Sequence, residues 1–140
     1  LDFGRHLRLA YERAQRLGQD LPVMVAIGAD IALHYTAATM GSQMPEHADE
    51  LAVAGGLAGR ALPVLQGITQ DLLVPAESEI VLEGRLLHEG TVREGPFGEF
   101  VGFASPEDDA PILQVTAVTH RAKPIYHAIN GFGRETVVLR

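Results

Sequence analysis

Apolar residues near the start of the chain recur every three or four positions, at Leu7, Ala10, Tyr11, Ala14 and Leu17. This spacing predicts an amphipathic helix over residues 7–17, ended by Gly18. Residues 22–28 form a continuous apolar run of strand length, which is typical of a strand buried on both faces. Asp30 then predicts the cap of a second helix over residues 31–39.

The pattern changes in the middle of the chain. A short helix is predicted over residues 46–54, entered after Pro45 and stopped by Gly55-Gly56. Beyond Arg60, proline and glycine separate short β-branched segments. We predict strands at residues 62–66, 70–74, 79–87, 100–103, 112–119 and 125–128. Because helices come first and strands follow, we predict an α+β fold, in which N-terminal helices pack against an antiparallel β-core.

Composition narrows the class of protein. The 140 residues, 46% of them apolar, suffice for one domain over residues 1–140 with a core of its own. The net charge of -7, with no Lys/Arg cluster, argues against a nucleic-acid partner. The absence of cysteine excludes disulfides and thiolate metal sites. No apolar run approaches the roughly 20 residues of a membrane helix, and no signal segment is evident, so we expect a soluble, cytoplasmic protein without a membrane partner.

Two glutamates five residues apart, Glu94 and Glu99, flank a Gly-Pro-Phe-Gly run. Proline and glycine disfavour a helix, so we interpret the run as a turn or loop. In an extended strand the odd offset would point the two side chains to opposite faces, whereas a reversal at Gly95-Pro96 would bring both into one pocket. Spacing alone therefore leaves two readings open, a solvated turn and a proton-handling pair.

The segment around this pair, EGPFGEFVGF at residues 94–103, resembles the UbiD-type decarboxylases, which include ferulic acid decarboxylase and the carboxy-lyase of ubiquinone synthesis. Further blocks resemble the family in the same order and cover nearly the whole chain, at residues 22–30, 49–57, 74–84, 111–121 and 123–127. The resemblance implies that the β-core is similar to the FMN-binding split β-barrel. Complete members of the family have several hundred residues, so the resemblance also implies that this chain is a fragment, the central flavin-domain portion of a longer protein.

The resemblance implies an activity as well: non-oxidative, reversible decarboxylation of an aromatic, heteroaromatic or α,β-unsaturated carboxylic acid. Loss of CO₂ leaves a carbanion-like centre that needs an electron sink. In the family that sink is prenylated FMN, which forms a covalent adduct with the substrate. The partners implied are the carboxylic acid substrate, the remainder of the parent chain, further copies in a homo-oligomer, and a flavin prenyltransferase as the source of the cofactor.

The resemblance assigns roles to both glutamates of the run. It implies that Glu99 is the proton donor and that Glu94 works with an arginine in a hydrogen-bonded acid network. These roles make physical sense, because burial beside a second carboxylate lets one acid keep its proton near neutral pH. That arginine and the family's asparagine metal ligand lie upstream of Leu1. We therefore predict that the isolated chain is inactive.

A metal site is implied by the same resemblance. His6 and Glu50 would bind a divalent ion that bridges to the cofactor phosphate, and Arg5 would lie beside that phosphate. Imidazole nitrogen with carboxylate oxygen suits Mn²⁺, and phosphate bridging also suits Mg²⁺. From spacing alone, His6 is an ordinary helix-end residue and Glu50 belongs to a helix's polar face. The family places a monovalent cation, K⁺, near residues 38–40, which we leave unassigned.

Departures from the family pattern affect the substrate pocket. Many members have Thr-Gly-Tyr-Tyr after the second acid, where this chain has Val101-Gly102-Phe103-Ala104. We therefore predict a more apolar pocket. Two other functions compete with decarboxylation: a split-barrel reductase that uses ordinary FMN, and a non-catalytic flavin-binding, structural or oligomerisation module.

Overall fold

The computed structural model describes residues 5–39, 48–98 and 104–128. Helices and strands follow one another in the order α1 (Arg5–Arg16), β1 (Leu21–Ile27), α2 (Ile31–Ala38), α3 (Glu50–Ala58), β2 (Val64–Gln66), β3 (Leu73–Pro75), β4 (Ile80–Glu94) and β5 (Asp108–His120). The predicted α+β class is confirmed. In this part of the chain, no helix has both the length and the apolar character needed to cross a bilayer.

Strand β4 is the centre of the larger sheet, with β1 on one side and β5 on the other. Both neighbours are antiparallel to it. In β1, Leu21 lies opposite Leu86 and Ile27 lies opposite Ile80. Strand β5 pairs with β4 as far as Glu94, the last residue of β4. Strands β2 and β3 form a separate antiparallel pair. Because the described strands form two open sheets, the closed split barrel stays a prediction.

The pairing of β4 with β5 is interrupted twice. One register shift falls between Glu83 and Gly84, and another between Leu86 and Thr91. The second shift passes from Leu86 opposite Leu113 to Thr91 opposite Pro111, so residues 87–90 lie outside the paired positions. Shifts of this kind bend a strand and free backbone groups for other partners.

The interior combines apolar and polar side chains. Among the residues that the structure describes, the buried apolar ones are Ala14, Ala54, Val74 and Val81, and the buried polar ones are Thr36, Gln70, Ser78 and Glu83. Burying polar groups costs free energy unless they are hydrogen-bonded. Among the described residues every buried side-chain nitrogen or oxygen has a hydrogen-bond partner. The fold therefore depends on matched polar contacts as well as on apolar packing.

The predicted end of helix α3 at Gly55-Gly56 is wrong. The helix begins at Glu50 and continues through both glycines to Ala58, and Gly59 ends it with a φ of 67°. The chain then turns back, and the backbone N–H of Arg60 donates to the Gly55 carbonyl over 3.1 Å. A Cβ on Gly55 would lie 3.1 Å from the Arg60 carbonyl oxygen. The glycine therefore permits a close approach of the chain and does not stop the helix.

The predicted strands match the structure in part. Strands β4 and β5 are longer than the predicted ranges 79–87 and 112–119, because their polar ends pair with each other. The strand predicted at 125–128 is wrong: these residues form no strand, and the backbone N–H of Ile125 donates to the Glu79 carboxylate over 3.1 Å. The strand predicted at 100–103 lies outside the described residues.

Gly84→Ala is expected to lower the free energy of unfolding by about 1–3 kcal/mol, because overpacking a close contact forces the backbone to shift. A Cβ on Gly84 would overlap the carbonyl oxygen of Gln114 on the neighbouring strand. Urea unfolding would measure the loss. Gly56→Ala is the matched control, since its Cβ would meet nothing within 4 Å and helix propensity favours alanine by about 0.5–1 kcal/mol. Equal losses in both variants would contradict the role given to the Gly84 contact.

Candidate functional site

Two of the predicted metal ligands meet at the N-terminal ends of two helices. His6, the second residue of α1, places Nδ1 3.3 Å from Oε1 of Glu50, the first residue of α3. The side chains are 75% and 48% exposed. An exposed pair of this kind contributes little to stability. Its significance is that an imidazole nitrogen and a carboxylate oxygen, 44 residues apart in sequence, lie side by side.

Helix α3 is attached at its other end by Arg60. Its guanidinium donates to Asp30 over 2.7 Å and to Glu77 over 2.8 Å. Asp30 also caps α2, since its second carboxylate oxygen accepts from the Ala32 backbone over 2.8 Å. The contacts with Glu77 and then Asp30 raise the pKa of Arg60 above its ordinary value. Arg60 therefore links α3, the start of α2 and the segment after β3.

The donor chemistry at the helix ends fits a divalent ion in part. Nitrogen and carboxylate ligands suit Mn²⁺, and oxygen ligands suit Mg²⁺. Within the described ranges, however, no group of three His, Cys, Asp or Glu side chains is placed to hold a metal. His6 and Glu50 are thus two of the predicted ligands, and a metal site here would need further donors. Arg5 begins helix α1, and its side chain lies outside the described part of the chain.

Glu94 lies at the end of β4, close to several carboxylates at the start of β5. It is exposed and pairs across the strands with Asp108 of β5. The neighbouring Arg93 contacts Glu107 over 3.1 Å and approaches Asp109 to 4.0 Å. The sequence analysis missed Asp108 because its position opposite Glu94 depends on the register of two strands. Negative charge is therefore concentrated where β4 ends and β5 begins. Like charges directly opposite each other, as Glu94 and Asp108 are, destabilise the pairing of the two strands.

The chain does not reverse at Gly95-Pro96, where the sequence left a reversal open. Beyond these residues the chain still runs beside its partner, since Gly98 forms an antiparallel bridge with Ala104. The Ser105 backbone N–H also donates to the Phe97 carbonyl over 2.8 Å. Glu99 lies outside the described residues, so a shared pocket for it and Glu94 stays a prediction.

Glu83 is a buried carboxylate that the sequence analysis did not single out. Its side chain, in a residue only 2% exposed, accepts backbone N–H donors from Ile68 at 2.9 Å, Thr69 at 2.6 Å and Gln70 at 3.1 Å. The Thr69 hydroxyl donates to it over 2.9 Å. The donations from Ile68 and Thr69 are the main cause of a pKa below the ordinary value. Glu83 therefore anchors the loop between β2 and β3 to the central strand.

Comparison with known sequences relates the chain to one family and to part of longer proteins. The family described as the 3-octaprenyl-4-hydroxybenzoate carboxy-lyase Rift-related domain, UbiD, matches residues 2–133. An uncharacterised protein of Aquifex aeolicus is 41% identical over 117 residues, which are 83% of this chain and 24% of the relative. The chain therefore spans about a quarter of the length of this curated relative.

Solved structures of UbiD-class enzymes are similar to the chain. HmfF from Pelotomaculum thermopropionicum, in complex with FMN, has a TM-score of 0.88 and 37% identity over 99% of this chain and 31% of HmfF. The apo 3,4-dihydroxybenzoic acid decarboxylase AroY of Klebsiella pneumoniae has a TM-score of 0.84 and 32% identity over 96% of this chain and 29% of AroY. With the family match over residues 2–133, these likenesses establish that the chain belongs to the UbiD family.

Proposed function

We propose that the chain forms the flavin-binding, acid-bearing region of a reversible, non-oxidative decarboxylase. Its substrate would be an aromatic, heteroaromatic or α,β-unsaturated carboxylic acid. The observation that carries this proposal is the contact of His6 with Glu50, because those two side chains are the metal ligands that the family resemblance implies. HmfF has been solved with FMN and, in an evolved dimeric form, with prFMN, and AroY is a decarboxylase of 3,4-dihydroxybenzoic acid.

The metal would be held by Nδ1 or Nε2 of His6 and the carboxylate of Glu50, with further ligands from elsewhere in the protein. Both residues lie in the first turn of a helix, where unpaired backbone N–H groups and the helix dipole favour an anion. A cofactor phosphate would therefore be favoured beside the ion. Arg5, the first residue of α1, would add positive charge to the same end of the helix.

The acids would handle the proton. When bound, prenylated FMN supplies the electron sink for the centre that loses CO₂. Glu99 would hold a proton and deliver it to that carbon, and Glu94 would accept a hydrogen bond in the same acid network. Two carboxylates in one site favour retention of a proton by one of them. Asp108, opposite Glu94 on the neighbouring strand, adds to the negative charge there.

Further partners belong to the same proposal. Exposed apolar side chains on and beside the β2 and β3 pair, namely Leu65, Ile68 and Leu73, support the remainder of a longer chain as a covering partner. The split β-barrel would then be completed by strands outside the described residues. A homo-oligomer is in keeping with the dimeric form of HmfF. A flavin prenyltransferase would supply the cofactor, and K⁺ would accompany the divalent ion.

The test is an assay of the full gene product with prenylated FMN, Mn²⁺ and K⁺. We expect CO₂ release from at least one member of a panel of aromatic, heteroaromatic and α,β-unsaturated acids. Reduction of ordinary FMN by a nicotinamide nucleotide, without CO₂ release, would instead favour the reductase. If the cofactor neither reacts nor raises the melting temperature, a structural module is the better account, since a ligand that binds the folded state stabilises it.

A further inference from the structure

Helix α1 carries His6, but apolar burial does little to fix it. Ala14 is its buried residue, while Leu7 and Leu9 are exposed. A helix normally gains its position from an apolar face packed against the core. The orientation of α1 must therefore depend more than usual on its polar contacts.

Those contacts converge on one short stretch of β4. The Tyr11 hydroxyl donates to the Leu87 carbonyl over 2.7 Å, and the Gln15 amide donates to the His88 carbonyl over 3.4 Å. Leu87 and His88 lie in residues 87–90, which the register shift leaves outside the paired positions of β4 and β5. The irregularity in the sheet thus supplies the carbonyl oxygens that hold the helix.

A second attachment follows directly after the helix. Asp20 immediately precedes β1, and one of its carboxylate oxygens accepts the His88 backbone N–H over 3.0 Å. The same oxygen lies 2.7 Å from Nδ1 of the His88 ring. The contact with the His88 side chain is the main cause of a lowered pKa for Asp20. Both side chains are about two-thirds buried, so this contact is less exposed to solvent than the pair of His6 and Glu50.

The geometry makes His6 sensitive to these attachments. Tyr11 lies five residues from His6, which corresponds to about 7.5 Å along a helix, and a tilt of about 10° at Tyr11 would move His6 by about 1 Å. A displacement of that size would separate His6 from Glu50, whose present contact is 3.3 Å.

We propose that Tyr11 and the Asp20–His88 pair are positioning residues, which hold helix α1 against β4 so that His6 meets Glu50 and the two can share a metal ion. The shared metal ion in this inference rests on the proposed function. The positioning of His6 beside Glu50 does not, because that contact is observed in the structure. The residues act through the backbone of α1 and would touch neither the ion nor the substrate.

The experiment measures the Kd of the full gene product for Mn²⁺, with Mn²⁺ alone as the probe. The concentration of free Mn²⁺ is measured by electron paramagnetic resonance. Tyr11→Phe removes only the hydroxyl, and Asp20→Ala removes the carboxylate. Each should raise the Kd for Mn²⁺ by about tenfold, because losing a residue that orients a metal ligand has effects of this order. Asp20→Asn keeps an oxygen acceptor and should restore most of the affinity. Asp71→Asn, which alters an exposed hydrogen bond to Gln66 on the β2 and β3 pair, should leave the Kd unchanged.

A second readout is independent of metal. Spin labels at Leu9→Cys on α1 and Ala52→Cys on α3 report the distance between these helices with His6 and Glu50 intact. They are introduced into the full gene product after any other cysteine outside these 140 residues has been replaced by serine. Tyr11→Phe and Asp20→Ala should broaden that distance distribution. An unchanged distribution and Kd, with Mn²⁺ binding still lost in His6→Ala, would overturn the positioning role and leave the proposed function standing. Absence of Mn²⁺ binding, or binding indifferent to His6→Ala, would overturn the metal site and this role in it.

Discussion

Glu99→Gln should lower the rate of CO₂ release by at least about 100-fold, because general acid catalysis contributes roughly 10² to 10⁴ in rate. Glutamine keeps the size and polarity of the side chain but has no acidic proton to deliver to the carbon that has lost CO₂. The loss should fall on kcat, with the cofactor still bound. Steady-state CO₂ release and the flavin absorbance of the purified variant would measure the two quantities separately.

Asp71→Asn provides the control for this prediction. Asp71 is exposed and its side chain contacts Gln66 on the β2 and β3 pair, away from the acids, so the same change of charge should leave turnover unaffected. Undiminished turnover in Glu99→Gln would remove the assignment of Glu99 as proton donor. Loss of bound cofactor in that variant would instead point to a binding role.

Local signals sufficed where an element has its own periodicity or cap. The three-and-four spacing predicted α1, the apolar run predicted β1, and Asp30 caps α2 as expected. The end of α3 could not be predicted in this way, because glycines inside a helix resemble glycines that stop one. The outcome there depends on Gly59 adopting a positive φ and on the return of Arg60 to Gly55, which are contacts of the folded chain.

The closeness of His6 and Glu50 follows from the family resemblance and not from their spacing. His6 and Glu50 are 44 residues apart, and no periodicity links them. Their contact depends on how α1 is attached to β4 and how Arg60 attaches α3, both of which are tertiary. The course of the chain after Glu94 likewise depends on tertiary contacts. Gly-Pro is a common turn signal, but an antiparallel bridge between Gly98 and Ala104 keeps the two segments paired beyond it.

The sequence marks Glu83 as an unusual position, because a charged residue follows directly on an apolar run. It follows the apolar residues Ile80, Val81 and Leu82 within a predicted strand, and a carboxylate in such a run must find donors if it is buried. Its donors could not have been named, because they come from the loop of Ile68 to Gln70, thirteen to fifteen residues earlier. The glutamate was recognisable, while its partners required the fold.

Glu83→Gln is expected to lower the melting temperature by roughly 10 °C. The carboxylate accepts four hydrogen bonds from residues of the 68–70 loop, whereas an amide would turn an N–H₂ group toward some of the same donors. Thermal unfolding followed by circular dichroism would measure the change. Asp71→Asn is the control, because this exposed acid contacts Gln66 on the same β2 and β3 pair and should have little effect. Equal losses in both variants would count against Glu83 as the anchor.

The dependence on pH separates the charge of Glu83 from its shape. Its pKa is lower in the folded protein than the ordinary value of 4.5, because backbone N–H groups of Ile68 and Thr69 favour the carboxylate. Its contribution to stability is therefore complete above the unfolded pKa and is lost as the pH falls through the folded pKa. Asp20 titrates in the same direction, but it is present in both proteins and cancels from their difference. The gap in melting temperature between wild type and Glu83→Gln should thus narrow as the pH is lowered below 4.5. A gap of constant size across that range would mean that the ionised carboxylate is not what holds the loop.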